Sequence, residues 1–269
     1  MTGDPSAQPG RSPKIDLNVP HSARVWNYWL GGKDNYAVDR EAGDEFSAVF
    51  PGIIDIARAS RAFIGRAVRF LAGEAGIEQF MDVGTGLPTM DNTHEIAQRV
   101  NPRARIVYVD NDPLVLRHAA ALLVSTAEGV TQYIHADVRE PGRILEGAAE
   151  TLDFSRPVAV MLMGILGHVG DYDQARSIVR RLMDGVPSGS YLALNDGTDT
   201  NQVYNEAEDR YNNESGGVPY ILRGPEQIAG YFDGLELVEP GVVSLPQWRP
   251  EAAHAPAELD VFGGVARKP

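Results

Sequence analysis

Three short turns hold the residue types that can do chemistry. In Asp82-Val83-Gly84-Thr85-Gly86-Leu87-Pro88, two glycines one residue apart permit a tight bend and let a ligand reach backbone N–H groups. Alone, Gly-Thr-Gly also fits a plain turn. In Tyr108-Val109-Asp110-Asn111-Asp112-Pro113, Asp112 is accounted for as a helix cap, whereas Asp110 has no such duty and can accept two hydrogen bonds from a ribose diol. In His135-Ala136-Asp137-Val138, Asp137 can accept from an adenine amino group while the next backbone N–H meets a ring nitrogen; a loop cap is the plain alternative. A fourth segment, Met163-Gly164-Ile165-Leu166-Gly167-His168, pairs two glycines suited to close approach with His168, the best base candidate in the chain. A lone His after a strand is more often structural.

Each turn follows a short apolar strand. Residues 79–83, 105–109, 132–135, 157–163 and 190–194 read as strands, and helical spacing marks the segments between most of them. Pro157 to Met163 is nearly continuous in apolar residues, as a strand covered on both faces must be. A helix is expected from Thr89 to Val100, another opening at Asp112-Pro113, and a third capped at Asp171. Alternating βα units predict a Rossmann-like α/β fold, a doubly wound and mostly parallel sheet. Leu235 to Val243 and Glu258 to Ala266 have no helix between them and are expected to pair antiparallel. Ahead of the sheet, helices are expected at 22–30 (capped by Ser22), 38–50 and 55–71. The division is a disordered tail (1–13), an N-terminal helical cap (14–54) and the Rossmann-like core (55–269).

Composition removes whole classes of chemistry. The 269 residues include no cysteine, which excludes disulfides, thiolate-bound metals and a Cys nucleophile, and suits the cytoplasm. With 24 Lys+Arg against 37 Asp+Glu, the formal net charge is −13, a surface that repels nucleic acid. The longest apolar stretch, 158–167, is about half of what a membrane span needs. His94 and His118 have no ligand partner at useful spacing, so no metal is expected. Asn195-Asp196-Gly197-Thr198-Asp199 could grip a hard cation but reads first as a polar turn. Tyr204 and Tyr211 share one helix face and either line a pocket or pack.

Together these turns resemble the class I S-adenosylmethionine-dependent methyltransferases across residues 55–269, and Pro187-Ser188-Gly189-Ser190-Tyr191-Leu192 is similar to that family's turn into its fifth strand. The resemblance implies S-adenosylmethionine as cofactor. It places Gly84, Thr85 and Gly86 at the methionine portion, Asp110 at the ribose, and Asp137 and Val138 at adenine, with Asp82 and Asn111 also expected to bind the cofactor. Met163 is expected against the cofactor too, and His168 near the methyl position. Pro88 stands where many members have a third glycine.

His21 to Tyr36 is similar to the opening of a narrower group, the S-adenosyl methyltransferase family of unestablished substrate. Arg24, Asn27 and Tyr28 form a polar helix face, with Val25/Trp29 and Trp26/Leu30 beside it. The apolar face is expected to dock on the core while Arg24, Tyr28 and Lys33 close over the cofactor; the alternative is an arm held only by aromatic packing.

The expected function is methyl transfer to a small molecule. A module that binds the cofactor without catalysis is one competitor. A nicotinamide dehydrogenase is the other, disfavoured by the missing third glycine and the 28-residue step from Asp82 to Asp110. Asp110 is expected to sit at the surface, so that its loss weakens cofactor binding and spares the fold.

Overall fold

The computed structural model describes residues 16–88, 91–112, 114–115, 125–251 and 257–269. The expected tail at 1–13, Thr89, Pro113 and His118 lie outside the described residues.

Five parallel strands form the body of one eight-stranded sheet: β1 (Gln79–Val83), β2 (Arg105–Asp110), β3 (Val130–His135), β4 (Ala159–Met163) and β5 (Tyr191–Gly197). Alternate residues along each strand face opposite sides, and the burial follows that period. Phe80, Ile106, Tyr108, Met161 and Ala193 pack on one face. Met81, Val107, Val109, Val160 and Leu194 pack on the other. The first face is covered by α3 (Ile53–Arg69) and α4 (Thr93–Val100), and the second by α5 (Pro141–Ala148) and α6 (Tyr172–Asp184). Asp171 caps α6 by accepting from the Gln174 amide at 2.6 Å, as its place in the sequence predicts.

The strand order is β3-β2-β1-β4-β5-β8-β6. Succession runs outward from β1 in one direction and from β4 in the other, so the crevice between β1 and β4 is the topological switch point, where open α/β sheets bind ligands.

The far edge is antiparallel, as expected, but more broken than the sequence suggests. β8 (Val261–Arg267) pairs with β5 and with two two-residue strands, β6 (Glu236–Leu237) and β7 (Val243–Ser244). Pro240 cannot donate to a ladder, and Gly241 bonds back to the Val238 carbonyl at 2.9 Å, so the single expected strand at 235–243 is cut in two.

The N-terminal helices α1 (Ser22–Trp29) and α2 (Ala37–Val49) lie over the carboxyl ends of the strands, where they border the switch-point crevice. α2 also packs on α7 (Gln202–Glu214), through a 4.7 Å stack of Phe50 on Tyr204 and an edge contact of Phe46 with Tyr211. α8 (Pro225–Gly230) buries Ile228 in the core of the second face. Three helix starts differ from expectation. His21, not Ser22, caps α1, its Nδ1 accepting from the Ala23 amide at 3.3 Å. α3 begins at Ile53 because Pro51-Gly52 ends the preceding turn there. α4 begins at Thr93, where Asn92 and Glu95 form a capping box.

Candidate active site

One cavity of about 220 Å³ opens at the switch point. Asp82, Gly84, Thr85, Gly86, Asp110, Asn111, Asp137, Val138, Met163 and His168 all border it. The four turns read from the sequence therefore meet in one place.

The glycine turn works differently from the expected cradle of free amides. The N–H groups of Gly84 and Thr85 both donate to the Val109 carbonyl, at 2.8 and 3.2 Å, and Gly86 N–H donates to Asp110 Oδ2 at 2.8 Å. What the glycines supply is clearance. Gly84 has φ +77°, and a Cβ there would lie 2.6 Å from the Ile165 side chain across the crevice; Gly86 has φ +65° and open space beside it.

Asp110 is not a surface carboxylate; it is 7% exposed. Besides accepting from Gly86, it accepts from the Asp112 amide at 2.9 Å, tying the first turn to the second. Burial raises its affinity for a proton, while those two amides pull the other way. Each carboxylate oxygen retains a further lone pair for a ligand hydroxyl. The surface position on which the expectation of a spared fold rested is thereby corrected.

Asp82 is buried as well. It accepts from the Thr93 hydroxyl at 2.7 Å, and burial pushes its pKa upward against the pull of Thr93 and Arg61. Asp137 pairs with Arg139 at 3.1 Å and accepts from the Asn111 amide group at 3.2 Å, which joins the second and third turns.

His168 ends a short 3₁₀ turn after β4. Its Nδ1 lies 2.9 Å from the Pro219 carbonyl, which can only accept, so Nδ1 carries the proton and Nε2 keeps a free lone pair. Burial depresses its pKa below the ordinary 6.5, favouring the neutral ring. By NMR, the His168 nitrogens should therefore remain in the Nδ1–H neutral form as pH falls through 6.5. A ring already cationic at that pH would remove it as a base.

Arg24, Tyr28 and Lys33 are not among the cavity residues. Arg24 is 3% exposed and its guanidinium is directed elsewhere: it donates to the carbonyls of Asp16 (3.1 Å) and Val19 (2.8 Å), and its Nε lies 3.3 Å from Asp39. Tyr28 donates to Asp44 at 2.6 Å on the outer side, and Lys33 is exposed. The helix is turned from its expected orientation. Its apolar residues Val25, Trp26, Trp29 and Leu30 border the cavity together with Asn27, while Arg24 and Tyr28 of the polar face organise the segments around it.

Other cavity residues were not singled out in the sequence. Arg61 of α3 borders the crevice beside Asp82 and donates to Asn92 at 3.3 Å, its pKa lowered by burial. Glu208 of α7 and Tyr220 border the opposite end, together with Tyr204 and Tyr211, which both pack and line. Asn195-Asp196-Gly197 continues β5 and is not a turn. Asp196 accepts from the Tyr220 hydroxyl at 2.5 Å and lies 3.9 Å from Arg223. Arg61 and Glu208 leave no motif: each reads as one more charge on an amphipathic helix.

A switch-point crevice floored by a glycine turn, with acids closing the second and third strands, defines a class I, Rossmann-like nucleotide-cofactor protein. Comparisons narrow the class. The family model described as "S-adenosyl methyltransferase" matches residues 8–269, and the chain belongs to that family. A DUF574 family protein from Streptomyces avermitilis is 46% identical, with a TM-score of 0.90 over 95% of this chain and 100% of that one. A candidate methyltransferase from Thermobifida fusca is 42% identical, with a TM-score of 0.87 over 94% of this chain and 96% of that one. An S-adenosylmethionine-dependent methyltransferase from Anabaena variabilis shares the fold at 14% identity, with a TM-score of 0.50 over 96% of this chain and 98% of that one. No curated protein matches. The protein is an S-adenosylmethionine-dependent methyltransferase of unestablished substrate. Among the described residues, no helix is long and apolar enough to cross a membrane.

Proposed function

We propose that the enzyme methylates a small molecule, with the cofactor lying along the glycine turn and the acceptor at the α2/α7 end of the cavity. The observation that carries this reading is the meeting of Gly84, Asp110 and Asp137 on one crevice. When bound, S-adenosylmethionine supplies an electrophilic methyl group on a sulfonium.

Asp110 accepts from the ribose hydroxyls, Asn111 and the Asp137–Val138 turn flank the adenine, and Met163 packs beside the cofactor. Gly84 and Gly86 keep side chains out of its path, and Asp82 holds Thr93 and Thr85 in register beneath it. Arg61, rather than Arg24, meets the methionine carboxylate, because it is the cavity cation nearest the glycine turn's acid. Nε2 of His168 receives a proton where the acceptor must lose one. A small acceptor suits a largely apolar chamber walled by Trp26, Trp29, Phe46 and Tyr211, which has room for rings and none for a duplex.

The test is calorimetry with S-adenosylhomocysteine. Arg61→Ala should weaken binding by about 10-fold or more, with Arg61→Lys recovering part of it. Undiminished affinity in Arg61→Ala removes the carboxylate contact. Failure of the unaltered protein to bind would overturn the reading itself.

A further inference from the structure

Tyr204, Glu208 and Tyr211 follow at i, i+4 and i+7 on α7, so they share the stripe turned toward α2 and the sheet. A carboxylic acid on that stripe is anomalous. Glu208 is 7% exposed and borders the cavity, and among the described residues no hydrogen bond or cation satisfies it. Burial, with Asp209 adding to it, pushes the group up to about 8.

Its surroundings are aromatic. Trp26 touches Trp29 edge-on at 5.7 Å, Trp29 meets Phe46 at 5.2 Å, and Phe46 meets Tyr204 and Tyr211 at 6.2 and 6.1 Å. A second buried acid, Asp196, borders the same cavity, and burial raises its pKa to about 6. Of the nearby cations, Arg223 is held 3.9 Å from Asp196 and none pairs with Glu208 among the described residues. Arg223 donates to the carbonyls of Leu166 and Val169, and Arg139 pairs with Asp137 and donates to the His168 carbonyl.

We propose that this end of the cavity is the acceptor subsite and that it takes an amine, its nitrogen held by Glu208 and its carbon skeleton by the ring wall. The inference rests on the methyltransferase reading above. An anionic acceptor would meet Glu208 with no cation beside it, since Arg223 is already held by Asp196 and by the Leu166 and Val169 carbonyls. A neutral alcohol is a weaker acceptor than an amine nitrogen for the O–H of the protonated acid. An amine also resolves the cost of the buried acid. Amine and carboxylic acid share one proton, and burial favours the uncharged pair, which leaves the lone pair on nitrogen. An ammonium entering from water beside the protonated acid therefore releases one proton to solvent, and no other bond changes on binding.

The experiment first saturates the full chain with S-adenosylhomocysteine, and that affinity is recorded. Benzylamine is then titrated by calorimetry in two buffers of different ionisation enthalpy. Benzyl alcohol and benzoate serve as neutral and anionic matches. Benzylamine should bind about tenfold tighter than either match and release one proton. Glu208→Gln, which keeps the shape of the protonated acid, should abolish that preference with S-adenosylhomocysteine affinity and melting temperature at pH 6 unchanged. Equal binding of the three probes, no amine binding at all, or a preference that survives in the variant overturns the proposal. Parallel loss of S-adenosylhomocysteine affinity in the variant also overturns it, by making Glu208 a cofactor contact. Failure of the unaltered protein to bind S-adenosylhomocysteine is a different result and falls on the cofactor reading.

Discussion

Asp110→Ala should lower affinity for S-adenosylhomocysteine by about 100-fold and destabilise the protein by roughly 3 kcal/mol. Both effects come from one side chain. The carboxylate accepts from Gly86 and Asp112, and removing it leaves a half-buried and a buried amide unpaired where the first two turns meet. Hydrogen bonds to a charged acceptor contribute about 1.5–3 kcal/mol each, so losing two to the ribose accounts for the affinity change. Asp110→Asn separates the roles. Its single oxygen can keep the Gly86 bond, whereas its NH₂ would face the Asp112 N–H. Stability should be partly restored, and affinity less so. Thermal melts and calorimetry on the same samples check this. Unaltered affinity in Asp110→Ala would show that this acid does not hold the ribose, and an unaltered melt would show that the tie between turns is idle.

The second large effect is expected at Arg24. Arg24→Ala should cost about 3–5 kcal/mol, the usual penalty for breaking a buried ion pair from one side. Asp39, fully buried, would lose its cation while still accepting from the His21 and Tyr36 amides at 3.0 and 2.8 Å. The carbonyls of Asp16 and Val19 would lose their donors too. Urea unfolding measures the loss, and a double-mutant cycle with Asp39→Asn assigns the paired part of it. Cofactor affinity should change only as far as α1 loosens. A variant with native stability and poor S-adenosylhomocysteine binding would reinstate Arg24 as a cofactor clamp.

The strands were legible because burial on both faces forces continuous apolar runs, and β1 begins and ends where its sequence says. The glycine and acid turns were legible because few residues tolerate those positions. Contacts were harder to foresee. Arg24, Asn27 and Tyr28 do fall at helical spacing, yet spacing cannot tell whether a polar face meets ligand, water or another segment. The answer depended on carbonyls at residues 16 and 19, whose folding-back no local pattern announces. Glu208 and Arg61 were invisible for the converse reason. Charge on a helix is ordinary until tertiary packing turns it inward.

The placement of the three tryptophans gives the molecule a built-in optical probe. Trp26 and Trp29 border the crevice, whereas Trp248 is sealed behind α3 against Phe63, 5.2 Å away. Ligand entry should therefore quench or shift two emitters and leave the third as an internal standard. Acrylamide should reach the same two and spare the third, so occupancy can be followed in unlabelled protein with nothing more than a fluorimeter.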